Sequence, residues 1–143
     1  MPPTVLMAAA LLMLGLHFLS PVTQIVTGLW RLMGLLPLGL GLAINVVADK
    51  QFHQVDTTVR PFEQSNRLVM DGLYRFSRNP MYLGMVVVLV GVALLLGSLT
   101  PFGVIPAFIG WIQIQFIRHE EQKLSTQFGQ DWLEYKARVH RWI

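Results

Sequence analysis

Apolar residues run in four blocks along this chain, at 5–19, 32–48, 81–96 and 102–117, and the polar residues gather between and after them. Each block is near or slightly below the ~17–25 residues that a membrane-spanning helix needs. Trp30, Thr100 and Trp111 flank the blocks and can extend or anchor them at an interface. The link Ser98-Leu99-Thr100-Pro101 is so short that the third and fourth helices have to form a tight hairpin. Pro37 and Pro106 fall inside helices, where neighbouring helices can tolerate a kink.

The charges set the topology. The loop 49–79 carries Lys50, Arg60, Arg67, Arg75 and Arg78, and the tail carries Arg118, Lys123, Lys136, Arg138 and Arg141. Only Arg31 lies elsewhere, and every acidic residue is in the loop or the tail. Basic segments stay on the cytoplasmic side. The expectation is therefore an all-α integral membrane protein of four transmembrane helices in two hairpins. Both termini, a cytoplasmic loop and an amphipathic C-terminal helix would share one face.

Composition supports one domain of this class. The chain has 143 residues, 53% hydrophobic and only 13% charged, against roughly 25% charged in soluble domains. Residues 1–48 would form the first hairpin, and 49–143 the loop, second hairpin and tail. The first block could be a signal peptide, but no Lys or Arg precedes it and no small-x-small site stands near Ser20-Pro21, so a retained helix is expected. Eleven Lys and Arg against eight Asp and Glu leave +3, too little for a nucleic-acid binder. Without cysteine there are no disulfides, thiolate metal sites or cysteine nucleophile.

The polar segments carry the local signals. Arg60 precedes Pro61 and is pushed toward extended backbone, and Asp71-Gly72 marks a turn. Asn79-Pro80 starts the third helix, with Asn79 as N-cap and Pro80 in the first helical position. Gly129 ends the long fourth helix after Phe128, and Asp131 with Glu134 opens a short amphipathic one.

Candidate chemistry sits in Asp71–Gly84 and Arg118–Glu121, two clusters that a hairpin would bring to one membrane face. Asn79-Pro80 alone needs no more than a helix start. Its neighbours add a cation at Arg78, a hydroxyl and an aromatic face at Tyr82, and room for close approach at Gly84, beside helix N–H groups that favour anions. Arg118, Glu120 and Glu121 read either as a solvated helix end, with Arg118 pairing to Glu121, or as functional charges at the mouth of a bundle. His17 and Asn45 read as interhelical hydrogen-bonding groups, and Gln113 and Gln115 as similar links. His53, His119 and His140 lack metal-ligand spacing, so no metal site is expected. Tyr74, Phe76 and Trp132 read as interfacial anchors.

Together these residues resemble the isoprenylcysteine carboxyl methyltransferase family. The likeness runs through Leu68-Val69, Gly72-x-Tyr74 and Arg78-x-Pro80-x-Tyr82-x-Gly84. It continues at Glu120-Glu121, Leu124, Phe128-Gly129, Leu133-Glu134-Tyr135-Lys136 and Arg138-Val139, so that it covers roughly 50–140. Asn79-Pro80-Met81-Tyr82 also looks like the related phospholipid N-methyltransferases.

The resemblance implies S-adenosylmethionine as methyl donor, held by Asn66, Leu68, Val69, Tyr74, Asn79, Pro80, Met81, Tyr82 and Glu120. Asn66 stands where the family often has a pocket His, and Asn79 where the eukaryotic enzymes have another. The family's substrate-contacting Arg would fall at Phe116, which leaves Arg118 as nearest substitute; Arg78 and Arg118 are the candidate catalytic residues. The expected reaction is methyl transfer to a lipid-like acceptor. A carboxylate such as that of an isoprenylated cysteine comes first, since it needs no base, and a lipid amine second. A non-catalytic membrane scaffold is the competing class. The implied setting is a prokaryotic plasma membrane, with the site facing the cytoplasm.

Overall fold

Polar residues do not stop the second helix where its apolar run ends. Asp49, Lys50 and Gln51 contain no breaker, and helix α2, Leu35–Thr57, continues through them. The computed structural model describes residues 2–57 and 68–143, and the side chains of 53–57 are outside that description. Helix α1 is Pro2–Leu19, and a 3-10 turn at Gly28–Gly34 leads into α2. A second 3-10 turn, Gly72–Arg75, precedes α3, Pro80–Leu96. A third, Thr100–Gly103, opens α4, Val104–Ile112, which runs through a π-helical stretch, Gln113–Ile117, into α5, Arg118–Arg138. No strand occurs among the described residues beyond one isolated bridge between Gln24 and Ser98.

Three stretches are long and apolar enough to cross a membrane, Pro2–Leu19, Gly28–Phe52 and Thr100–Arg138. The expected third span, α3, is apolar but has 17 residues, or about 26 Å at ~1.5 Å per residue. It is the central helix, burying Tyr82, Met85, Val88, Leu89 and Ala93 against its neighbours. Met13 of α1, Ile112 of α4 and Ile117 complete that core. Leu11, Leu12, Leu36, Leu40 and Trp30 face outward, the apolar exterior that a bilayer-embedded bundle presents.

One end of the bundle is tied by hydrogen bonds between the segment after α1 and the turn after α3. Ile25 and Val26 donate backbone N–H groups to the Gly97 carbonyl (2.8 and 3.0 Å), and Leu99 donates to Thr23 (2.9 Å). Arg31, the one base outside the loop and tail, donates to the Val26 carbonyl and to Gln24. His17, expected to hydrogen-bond to another helix, bonds instead to the link after α3, 2.7 Å between Nδ1 and Ser98 Oγ. Ser98 is fully buried, so His17→Leu strands a hydroxyl. The unfolding midpoint in detergent should fall by the equivalent of about 1–3 kcal/mol; an unchanged midpoint would show that this bond does not hold the knot.

Helices α2 and α3 run antiparallel along a glycine seam. A Cβ on Gly91 would lie 2.6 Å from the Leu38 nitrogen and 2.8 Å from the Gly34 carbonyl oxygen. One on Gly41 would lie 2.6 Å from both the Gly84 carbonyl oxygen and the Val88 nitrogen. Small residues let helix backbones meet where lipid removes the hydrophobic drive to associate. Gly84 thus serves the backbone of α2. Asn45, also expected to bridge helices, packs against Gly84 while its Nδ2 donates to the Gly41 carbonyl within α2 (2.9 Å).

Candidate functional site

The lower ends of α2 and α3 frame the site. Gln51 of α2 accepts the Leu73 backbone N–H through Oε1 (3.1 Å), which fixes the Gly72–Arg75 turn under α2. That turn aims Tyr74 inward and leaves Phe76 exposed, as an interfacial anchor would be. Pro80 starts α3 as the sequence predicts, with Asn79 at the N-cap position. The Asn79 side chain caps nothing, however: its Nδ2 donates to the Arg141 carbonyl (3.2 Å). The C-terminal tail has claimed the residue expected to serve the helix end.

That tail runs against the polar segment before α3. Arg78 N–H donates to the His140 carbonyl (3.0 Å), and Ser77 Oγ donates to the Arg141 carbonyl (3.3 Å). Arg141 grips Glu121 with two bonds, Nε to Oε1 at 3.0 Å and Nη2 to Oε2 at 2.5 Å. The contact with Glu121 holds the Arg141 guanidinium above its ordinary pKa. The i, i+3 pairing of Glu121 with Arg118 that the sequence allows is thus replaced by a long-range one.

Helix α5 closes the remaining side. At Gly129 the backbone leaves helical geometry (φ 49°, ψ −113°), a region open almost only to glycine. The break expected there is a kink inside one long element. Leu124, Phe128, Trp132 and Tyr135 repeat at helical spacing and face inward. Trp132 is buried, not spread on an interface, and the Arg78 guanidinium lies over its ring at 5.5 Å. Tyr135 donates its hydroxyl to the Tyr74 carbonyl (2.7 Å).

These elements enclose a cavity of about 210 Å³ lined largely by aromatic and aliphatic groups, Tyr74, Phe128 and Trp132 among them. Its volume is below the ~300–1,000 Å³ usual for a whole small-molecule site. Arg78 is its cation. The side chain is only 7% exposed; its Nη1 lies 3.3 Å from Glu121 Oε1 as an ion pair without a hydrogen bond, and its Nε has no hydrogen-bond partner among the described residues. A buried guanidinium with free donors is costly to leave so. An anionic group entering the cavity would use them.

Beside the cavity, Tyr82 donates its hydroxyl to Glu120 Oε1 (2.7 Å). Burial first, then the charges of Glu120 and Asp49, push the Tyr74 phenol up to about 12; it keeps its proton at neutral pH.

Among the residues singled out from sequence, Leu68, Val69, Tyr74 and Arg78 line the cavity. Tyr82 and Glu120 pair next to it. Pro80 is buried and Met81 half-buried at the start of α3, and neither lines it. Asn66 lies outside the described residues, as do Arg60 and Pro61. Arg118 is exposed beyond the π-helical stretch, while Phe116 faces Tyr82 with ring centroids 6.5 Å apart. Arg141, Trp132 and Phe52 were not anticipated as site residues. Periodicity could have found Trp132; no local pattern announces Arg141.

The family model for phospholipid methyltransferase matches residues 29–131, which takes in Tyr74, Arg78, Tyr82, Glu120 and Glu121 and ends just before Trp132. The chain belongs to the phospholipid methyltransferase family. This family is related to the isoprenylcysteine enzymes, and the match supports that relationship without supporting the narrower likeness. No curated protein and no solved structure matches the chain. In this phospholipid methyltransferase family member, no group of three or more metal-ligating side chains occurs among the described residues.

Proposed function

We propose that this chain transfers a methyl group from S-adenosylmethionine to an amine-bearing phospholipid at the membrane surface. The observation that carries the proposal is the buried Arg78, a residue within the region matched to a methyltransferase family, whose Nε has no hydrogen-bond partner among the described residues and which lines an aromatic-walled cavity. Those residues suit the donor: Arg78 for its carboxylate, Tyr74 and Trp132 for its ring or cationic centre, and Glu120 for its ammonium or a ribose hydroxyl. When bound, it supplies an electrophilic methyl on sulfur.

The family match moves the amine ahead of the carboxylate acceptor. A lipid ammonium has to lose a proton before it can attack. Glu121 is occupied by Arg141, and His119 faces a shallow outer hollow. Glu120, steadied by Tyr82, is the carboxylate best placed to accept that proton. The chain's other contribution is orientation in a site shielded from water. In this reading all four helices span the membrane, α3 within its wider neighbours, and the site faces the cytoplasm beside the basic loop and tail.

Methyl-labelled donor supplied to purified protein and lipid extract tests the reading. The label should enter an amine-bearing lipid and survive alkali. With Glu120 taking the proton the rate should vary little with pH across 6–9, and in Glu120→Gln it should rise with pH as a lipid amine of pKa roughly 10 deprotonates. Release of labelled methanol by alkali would mark an ester and restore the carboxylate acceptor. No label in any lipid would leave the scaffold reading.

A further inference from the structure

The tail end of the chain does something that neither the family match nor the donor site requires. Glu121 is the nearest carboxylate to Arg78, and a free Glu121 would take that guanidinium in a two-pronged pair. It cannot, because Arg141 already occupies both of its oxygens. The oxygen that approaches Arg78, Oε1, is the one that accepts Arg141 Nε. Arg78 is left with one 3.3 Å ion-pair contact, from Nη1 to Glu121 Oε1, that makes no hydrogen bond, and with an Nε that has no partner among the described residues. A planar guanidinium fork outcompetes a side-on approach for a carboxylate.

We infer that Arg141 is a positioning residue: by holding Glu121 it keeps the Arg78 donors free for an anionic group of the bound ligand. The ligand class is a carboxylate, and its identification as the methyl donor's rests on the function proposed above. Only the Arg141 side chain performs this role. The backbone of the tail is fixed separately, through the His140 and Arg141 carbonyls that accept from Arg78, Ser77 and Asn79.

Arg141→Gln therefore leaves the tail in place and releases Glu121 to close on Arg78. Two readouts follow the consequence. The Arg78 Nε–H proton resonance, identified by its loss in Arg78→Lys, should move downfield in Arg141→Gln as it gains a carboxylate partner. S-adenosylmethionine affinity by calorimetry should fall roughly 10-fold, the lower end of what a charge-assisted bond contributes. In the double variant Arg141→Gln/Glu121→Gln, the resonance should return towards its original position and most of the affinity should come back. A tail that merely braces the fold predicts no such rescue. An unmoved resonance in Arg141→Gln, or a double variant as weak as the single one, overturns the inference. If the unmodified protein binds no S-adenosylmethionine while the resonance moves and returns as described, the donor assignment falls and the role of Arg141 stands.

Discussion

Arg78→Met should leave the protein as stable as before, or more so, while lowering its affinity for S-adenosylmethionine by roughly 10- to 100-fold. The two effects separate because the protein's own groups satisfy the guanidinium poorly. Its Nε and Nη1 are buried without hydrogen bonds among the described residues, and replacing a buried charge with an apolar side chain of similar length is often neutral or stabilising. Glu121 would not be orphaned, since Arg141 holds it. Met keeps contact with the Trp132 ring through sulfur. Calorimetry with S-adenosylmethionine and a detergent melt on the same sample check both halves. Loss of stability with full affinity would make Arg78 a strut between α3 and α5, and the ligand's anion would need another partner.

The residues of this site were readable to different depths. Arg78, Tyr74, Tyr82 and Glu120 stand in short polar clusters between apolar runs, where a charge has few purely structural reasons to be. Hydropathy also showed that the segments holding them come together, because only two helices and a tight link separate the clusters. Trp132 was read as an interfacial anchor, since an aromatic in a charged amphipathic stretch suits a membrane surface. Its actual partner, Arg78, lies on another element, and no local rule connects them. Arg141 was less visible still: two hydrogen bonds to its carbonyl and a carboxylate 20 residues away give it meaning only in three dimensions.

Boundaries show the same division. Pro80 and Gly129 marked real transitions because their backbone chemistry allows little else. The lower end of α2 was misjudged at Ala48, since apolar character ends there but helix propensity does not. That overrun matters to the site, because it carries Gln51 and Phe52 to the Gly72–Arg75 turn and the cavity wall. The π-helical stretch Gln113–Ile117 left no trace in composition either. It brings Phe116 to Tyr82 and sets Arg118 outward, a local re-registration of the kind π-turns often produce near functional sites.

Gly91→Ala should strongly destabilise the seam between α2 and α3. Its Cβ would meet the Leu38 nitrogen at 2.6 Å and the Leu38 Cα at 2.8 Å, both backbone atoms of α2 that no rotamer change can move aside. The helices have to separate, and overpacking of this kind costs about 1–3 kcal/mol or more. Gly41→Ala meets two backbone atoms at the same closeness and should behave alike. Gly84→Ala should cost somewhat less, because its nearest atom, Asn45 Nδ2, is on a side chain that can swing away and its nearest backbone atom, the Gly41 carbonyl oxygen, lies at 2.9 Å rather than 2.6 Å. Gly39→Ala is the control: nothing lies within 4 Å of its Cβ, so better helix propensity should leave it neutral or up to about 1 kcal/mol more stable. Denaturant titration in mixed micelles would rank the four. The functional readout should follow the same order, since prising α2 from α3 also withdraws Gln51 from Leu73. If Gly91→Ala and Gly39→Ala melt together, the glycines are not what brings α2 and α3 into contact, and the position of the site's upper wall needs a different explanation.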